Sequence, residues 1–333
     1  MTVSVIIVNY KTPQLVINCI SSVLGQDEGQ FDTEVVVVDN FSEDGIEEKL
    51  SQSFPSVKFI QMGYNAGFAR ANNAGIKIAS GEMVLLLNSD TITENNAINR
   101  CCGHFIASQY VACGVQLLNE DRTPQISGNY AMKGGVNYLL PLPYVGKGLK
   151  FIADLLKVKK PNVPDAVGVV EVDWINGAFL MVKRSVIEKA GLLDEDFFLY
   201  AEEAEWCSRL KKQGKLCIYG DCHVMHLQGE TSAEVFESIG KGYFNLFDKR
   251  GLQIIVSNFL RIRKEFGLMW YLLDLLFYIF TIPVFFIGIL ITGLVGKKKY
   301  SLSQWKGYTK NVFQLILLSR KMIFKIPFFY KML

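Results

Sequence analysis

Runs of consecutive apolar, β-branched residues alternate with stretches of helical spacing through the N-terminal part of the chain. Residues 3–8, 34–38, 57–61 and 83–87 predict strands. Runs with so little polar alternation belong to strands covered on both faces. Thr12-Pro13 offers a cap and a first-turn proline for a helix over 14–24, which carries Leu15, Cys19, Ile20 and Val23. Residues 70–79 read as a second helix. Further on, 172–174 and 177–182 predict strands, and 184–190 and 202–213 predict helices. Buried strands alternating with helices make a doubly wound, mainly parallel α/β sheet. Residues 115–170, punctuated by Pro141, Pro143, Pro161 and Pro164, show no clear period and read as loops near a site or as surface insertions.

The pattern changes after residue 250. Residues 267–296 are apolar apart from Asp274. A straight helix of that length reaches roughly 45 Å, against a hydrocarbon core of about 30 Å. Pro283 divides it into arms over 268–282 and 284–295, and both flanks are basic. The favoured expectation is a re-entrant or shallow hairpin bent at Pro283. One tilted span and a buried core helix pair are the alternatives. Residues 305–326 predict an interfacial amphipathic helix. Trp305, Tyr308, Val312, Leu315, Ile316, Met322, Ile323 and Ile326 fall on one side, and Lys306, Lys310, Gln314, Lys321 and Lys325 on the other. Phe313, Leu317 and Leu318 break the pattern, which makes packing of this helix on protein the alternative. The expected organisation is a globular domain over 1–250 and a membrane-associated helical region over 251–333.

Half of the 333 residues are apolar and 20% are charged, which excludes disorder and coiled coil. The net charge of +3 hides an asymmetry: residues 251–333 hold 12 Lys/Arg against 2 Asp/Glu, and the body holds 23 against 30. An acidic body with a basic, apolar tail points away from nucleic acid and toward a membrane surface. No signal peptide is recognisable at the start, so the body is expected at the cytoplasmic face of the cell membrane. Attachment there would be monotopic, single-span or hairpin. The seven cysteines form no CxxC pair, and the spacing Cys217, Cys222, His223, His226 lacks a second cysteine pair for zinc. Reduced thiols are expected.

In such a sheet, ligands bind beyond the carboxyl ends of the strands. The polar residues there are Asn9, then Asp39 and Asn40, then Asn88, Ser89 and Asp90. The turn Asn9-Tyr10-Lys11-Thr12-Pro13 has no glycine, which disfavours a dinucleotide fold and a P-loop.

Several segments resemble family 2 glycosyltransferases of the GT-A fold, in particular the bacterial rhamnosyltransferase-like branch. They are Val5-Ile6-Ile7-Val8-Asn9-Tyr10, Val37-Val38-Asp39-Asn40-Phe41-Ser42, Asn65-Ala66-Gly67-Phe68-Ala69 with Asn72-Asn73, and Leu86-Leu87-Asn88-Ser89-Asp90. Trp174-Ile175-Asn176-Gly177-Ala178, Gly191-Leu192-Leu193-Asp194-Glu195, Phe197-Phe198-Leu199-Tyr200-Ala201-Glu202-Glu203, and His226 with Gly229 and Ser232 continue it over about residues 1–235.

The resemblance implies a GT-A catalytic domain and a metal-dependent inverting transfer from a nucleotide-sugar donor to a glycan acceptor. The acceptor is expected to be lipid-linked and to belong to cell-surface polysaccharide synthesis. It implies Mg2+ or Mn2+ held by Asp90 and His226. Asn88 stands where the family's Asp-any-Asp motif begins and leaves the ion fewer charges. Asp39 is expected to hold the base or ribose, and Asn9 and Tyr10 to line the base pocket. Asn65, Gly67, Arg70, Asn88 and Ser89 are expected around the donor, with Arg70 placed for phosphate. Trp174, Asn176 and Gly177 are expected at the sugars.

Glu203, beside Glu202, takes the position of the general base, where the family more often has the shorter aspartate. Helix capping by the glutamates, a turn role for Asp39, a satisfied imidazole at His226 and a core role for Trp174 are the plain structural alternatives. The functional alternatives are a non-catalytic sugar- or nucleotide-binding GT-A protein and a sugar nucleotidyltransferase. The latter would want a Gly-rich basic loop after the first strand.

Overall fold

The computed structural model describes residues 1–26, 30–158, 162–227 and 245–333; Gly229 and Ser232 lie outside the described residues. The chain divides into two compact units. The first holds Met1–Tyr130, Asn162–Glu195 and Glu202–Thr231; the second holds Ala131–Pro161, Asp196–Ala201 and Ser232–Leu333.

In the first unit the strands are β1 (Thr2–Asn9), β2 (Asp32–Asp39), β3 (Lys58–Gln61), β4 (Met83–Leu87), β5 (Thr91–Thr93), β6 (Ala112–Leu118), β7 (Gly128–Asn129), β8 (Asn162–Val163), β9 (Val169–Val172), β10 (Trp174–Ile175), β11 (Phe179–Lys183) and β12 (Leu216–His226). Its helices are α1 (Pro13–Leu24), α2 (Ile46–Ser53), α3 (Gly67–Ile78), α4 (Ala97–Ile106), α6 (Arg184–Ala190) and α7 (Glu202–Leu210); α5 (Val145–Leu155) belongs to the second unit. The main sheet runs β3-β2-β1-β4-β11-β6-β12-β5, with β9 on β12, and a small sheet runs β10-β7-β8.

The expected parallel arrangement holds for β3, β2, β1 and β4, while β11 enters antiparallel between β4 and β6. Val5, Ile7, Val35, Val37 and Leu85 share one core with Val16 and Ile20 of α1 and Phe105 of α4. The alternate residues face α3, where a β-carbon on Gly75 would lie 2.5 Å from Ile6 Cγ2. Coverage on both faces is why these strands lack polar alternation. α3 starts at Gly67, three residues before the expected position, and α7 stops at Leu210, short of the expected 213. All seven cysteines are buried free thiols.

The second unit is helical in its described part. A 3-10 segment (Lys133–Leu139) and α5 are joined by α8 (Lys249–Glu265), α9 (Leu268–Leu294) and α10 (Leu302–Ile323). The short segment 196–201 belongs here because α8 holds it: Arg250 Nε donates to Tyr200 Oη at 2.8 Å and Ser257 Oγ to the Leu199 carbonyl at 2.7 Å.

The hairpin expected at Pro283 does not form, since α9 runs unbroken through it. A mid-helix proline removes one hydrogen bond and crowds the preceding turn. Packing on both sides of the proline outweighs that. Tyr271 and Tyr278 meet the Phe259 ring at 5.4 and 4.9 Å, and Phe285 meets Tyr308 at 5.9 Å. Trp305 Nε1 also donates to the Ile282 carbonyl at 3.0 Å. Tyr271, Asp274, Tyr278, Thr281 and Phe285 form the buried stripe, so the one charge of the segment faces protein. The opposite face, with Met269, Leu276, Phe280, Ile287, Leu290 and Leu294, is exposed.

For 305–326 the interfacial expectation gives way to its alternative, packing on protein. Tyr308, Val312, Leu315 and Met322, assigned to lipid, are buried in protein. Phe313 and Leu317, which break the pattern, are left exposed near Lys306, Lys310 and Arg320. A helical period identifies a buried side but not what buries it.

Candidate active site

Topology brings the polar residues to one edge of the sheet in the first unit. Asn9 ends β1, Asp39 ends β2 and Asn88 follows β4. Because β11 is antiparallel, its start lies beside the end of β4, with Phe179 opposite Leu87. β12 runs parallel to β6 and delivers His226 to the same edge. A bulge between Tyr219 and His223 re-aims its last turn of strand.

Asp39 is fixed before any ligand arrives. Its Oδ1 accepts from Asn9 Nδ2 at 2.7 Å, and its Oδ2 accepts from Ser42 N at 3.0 Å and Gln61 Nε2 at 2.8 Å. A carboxylate has about four acceptor positions, so one on Oδ1 is left for a ligand N–H or hydroxyl. Asn9 is held in turn by Thr12, whose backbone N–H donates to its Oδ1 at 3.2 Å. Next to Asp39, Asn40 joins Asn65 side chain to side chain at 2.9 Å and accepts from Ala66 N at 2.7 Å. That pins the start of α3, where Gly67 has φ +74. Arg70, one turn along, donates to the Glu195 carbonyl at 3.0 Å. Tyr10 is half-buried, with the Lys11 ammonium 5.6 Å from its ring centre. Lys11 and Phe41 both take left-handed backbone, φ 58 and 65, just after the two strand ends. Strained residues of this kind cluster where a loop is held for a purpose.

Asp90 and His226, 136 positions apart in the sequence, meet because β5 pairs with the end of β12, Thr91 opposite His226. Asp90 Oδ1 lies 3.4 Å from His226 Nε2, and Asn88 Nδ2 also lies 3.4 Å from that nitrogen. The other ring nitrogen, Nδ1, faces Gln125 Oε1 at 3.0 Å. The Gln125 amide nitrogen is already donating, to the His226 carbonyl at 2.6 Å and to Asn119 Oδ1 at 2.8 Å. Its oxygen must therefore accept, which puts a proton on Nδ1 and makes Nε2 the nitrogen that faces Asp90 and Asn88. That is how a second shell prepares a metal-binding histidine. One imidazole nitrogen and one hard carboxylate oxygen at this spacing fit a small divalent cation with coordination positions to spare. A cavity of about 490 Å³ opens at His226, lined also by Asn119, Glu120, Asp121 and Leu227.

A hydrogen-bonded path joins this pair to Asp39: Ser89 Oγ lies 3.3 Å from Thr12 Oγ1, and Thr12 binds Asn9. A second path leads to α7. Asn88 N donates to the Ala178 carbonyl at 3.1 Å, and on the preceding Gly177 a β-carbon would sit 3.4 Å from Glu203 Cγ.

The three acids of α7 have separate environments. Glu205 is locked to Arg209, with bonds of 2.9 Å to each of its oxygens. Glu202 is buried and its Oε2 has no partner among the described residues. Burial, and then the charge of Glu203, push its carboxyl well above the ordinary range. Glu203 is half-buried and turned toward Gly177. The helix follows two non-glycine residues in left-handed backbone, Tyr200 at φ 71 and Ala201 at φ 67. Such residues cost about 1–3 kcal/mol each.

Glu202 titrates near about 4.3 when unfolded. Above that value the native state binds the extra proton, so the group's stabilisation is complete below the unfolded pKa and declines as pH rises. Glu202→Gln is expected to flatten the fall in unfolding free energy as pH rises above that unfolded value. Urea unfolding at several pH values checks this, and an unchanged slope would show that Glu202 ionises freely.

Asn176 is engaged locally: Nδ2 donates to the Ile126 carbonyl at 3.2 Å and Oδ1 accepts from Ala178 N at 3.0 Å. Trp174 stands opposite Asn129 in the small sheet. Trp174 Nε1 and Asn129 Oδ1 are both buried without a partner among the described residues. Gln125, Thr12 and Ser42 were not found by sequence reasoning. They act through other side chains, and only Thr12 stood out, as a helix cap. A different trio, His104, Asp221 and Cys222, has ligand atoms within 4.8 Å of one another. His104 and Asp221 there form an ordinary 3.1 Å pair, and burial pushes the Cys222 thiol up to about 12.

The Glycosyl transferase family 2 profile matches residues 4–169. A low-salt glycan biosynthesis hexosyltransferase, Agl10, of Haloferax volcanii is 28% identical over 67% of this chain and 65% of its own length. A dTDP-rhamnosyl transferase, RfbF, of Shigella flexneri is 25% identical over 60% of this chain and 62% of its own length. An N-acetylglucosaminyl-diphospho-decaprenol L-rhamnosyltransferase of Mycobacterium tuberculosis is 26% identical over 60% of this chain and 67% of its own length. The chain thus spans a little under two thirds of the first two relatives. Among solved structures, a mannosyltransferase of Pyrobaculum calidifontis in complex with GDP-Man and Mn2+ superposes with a TM-score of 0.53. It is 13% identical and covers 97% of this chain and 87% of its own. GalNAc-T7 with UDP, GalNAc and Mn2+ gives 0.52 at 15% identity, covering 68% of this chain and 43% of its own. The shared fold is GT-A.

Proposed function

This chain belongs to glycosyl transferase family 2, and we propose from that premise that it moves a sugar from a nucleotide-diphosphate donor to a hydroxyl of a glycan acceptor, with inversion at the anomeric carbon. The observation that carries the reading is the meeting of Asp90 with Nε2 of His226 at the sheet edge that also holds Asp39 and, through Gly177, Glu203.

Asp39 takes a donor N–H or ribose hydroxyl on its remaining acceptor position. Asn9, Tyr10 and Asn65 shape that end of the site, with Gly67, Arg70 and Ser89 around it. Asp90 and His226 hold Mg2+ or Mn2+, and Asn88 sits beside them as a neutral neighbour. The bound ion supplies charge stabilisation for the leaving diphosphate. Glu203 takes the acceptor's hydroxyl proton on Oε as the new glycosidic bond forms, while Glu202 keeps its own proton. Trp174, Asn176 and Gly177 border the sugars.

The relatives named for glycan biosynthesis and for a decaprenol-linked substrate support a lipid-linked acceptor in cell-surface polysaccharide synthesis. The long exposed apolar face of α9 supports monotopic attachment to the cytoplasmic face of a membrane through the second unit. Protein packs along the other side of that helix, so the bilayer meets one face only.

Thermal unfolding of the full chain with UDP-, GDP- and dTDP-sugars, with and without Mn2+, tests the reading. One donor is expected to stabilise the protein only with the ion, by about 2.7 kcal/mol at a hundredfold excess over its Kd, and to be turned over. No stabilisation by any donor would overturn it.

A further inference from the structure

The second unit carries a helix whose outer side is left exposed among the described residues. α5 leaves Phe151, Ile152, Leu155 and Leu156 at 70, 51, 71 and 70% exposure. At 100° per residue these four fill an arc of roughly 140°, and Lys147 and Lys150 stand exposed along one edge. Contiguous apolar patches of this kind are rare on soluble surfaces without a partner.

The entry to α5 is pinned to α9. Tyr144, its N-cap, takes left-handed backbone at φ 60 and lies 3.0 Å, hydroxyl to hydroxyl, from Thr292. Its ring fills the notch at Gly288, where a β-carbon would sit 2.5 Å from Tyr144 Cε2. Tyr144 also meets the Tyr300 ring at 5.5 Å, next to the run Lys297-Lys298-Lys299. The entry to α5 is thus held at the C-terminal end of α9, with Tyr300 and the preceding lysine run beside it.

We propose that α5 is a second membrane-docking element, lying with its apolar arc in the headgroup boundary of an anionic bilayer while its lysines meet the lipid phosphates. Long lysine stems let the charge reach phosphate while the apolar side sinks. Lysines along one edge of an apolar arc, with the Lys297-Lys298-Lys299 run next to the Tyr144–Tyr300 contact, complement an anionic lipid surface. The proposal rests on the membrane attachment proposed above.

The test places an environment-sensitive nitrobenzoxadiazole label at Leu155→Cys, and separately at Leu294→Cys, in the full chain; the native cysteines are buried. Phosphatidylcholine vesicles with and without phosphatidylglycerol are added. Both labels are expected to brighten and shift to the blue with the anionic vesicles. Lys147→Ala and Lys150→Ala are each expected to weaken partition roughly fivefold. A response at Leu294→Cys with none at Leu155→Cys overturns this proposal alone. Silence at both positions overturns the attachment reading as well. A shift at Leu155→Cys that grows with protein concentration without vesicles assigns the face to a second copy of the chain and overturns the lipid occupant.

Discussion

Glu203→Gln is expected to lower turnover by about 10²–10⁴-fold while leaving metal-dependent donor binding intact. The amide has the size and shape of the carboxyl and keeps the contact with Gly177, but it cannot take a proton. The neighbouring acids serve as controls. Glu205→Gln breaks the bond pair with Arg209 and is expected to cost stability rather than catalysis. Glu202→Gln replaces a buried carboxyl already pushed toward its neutral form and is expected to change turnover little. Steady-state transfer assays, with donor-induced thermal shifts run in parallel, check the set. Parent-level turnover in Glu203→Gln would sink the base assignment.

Asp90→Asn is expected to abolish metal-dependent donor binding and to cut turnover on the order of 10³-fold, since the ion supplies several kcal/mol of charge stabilisation. Gln125→Leu gives a graded companion. It leaves both ligands in place but frees the imidazole to move its proton to Nε2, so metal affinity should fall by about 10–100-fold. Excess Mn2+ should then restore activity to Gln125→Leu and not to Asp90→Asn. Mn2+ titrations followed by electron paramagnetic resonance check both. Unchanged affinity in Gln125→Leu would mean that the His226 tautomer is set by something else.

The polar edge of the sheet was legible in the chain because β1, β2 and β4 are buried on both faces and each ends abruptly in polar residues: Asn9, Asp39, then Asn88 to Asp90. In a parallel sheet those ends share one edge, so order along the chain becomes neighbourhood in space. Motif order then carried the reading through Glu203 and His226. The state of those groups was not legible. No spacing links Gln125 to His226, because their contact depends on the loop after β6 crossing the end of β12. Likewise three nearby glutamates gave no sign that one is ion-paired, one is buried and one is turned toward Gly177.

The tail shows the other limit. Periodicity alone marked an apolar segment over 267–296 and an amphipathic helix after it, and both exist as helices. Pro283 has a local preference against helix, but the ring contacts of Tyr271, Tyr278 and Phe285 span it and hold α9 continuous. Which apolar faces meet protein and which are left over is a matter of what packs against them, and a one-dimensional pattern holds no record of that. Strand ends and helix periods are local properties of the chain. A proton's position on His226, the burial of Glu202 and the exposed arc of α5 arise only when distant segments are brought together.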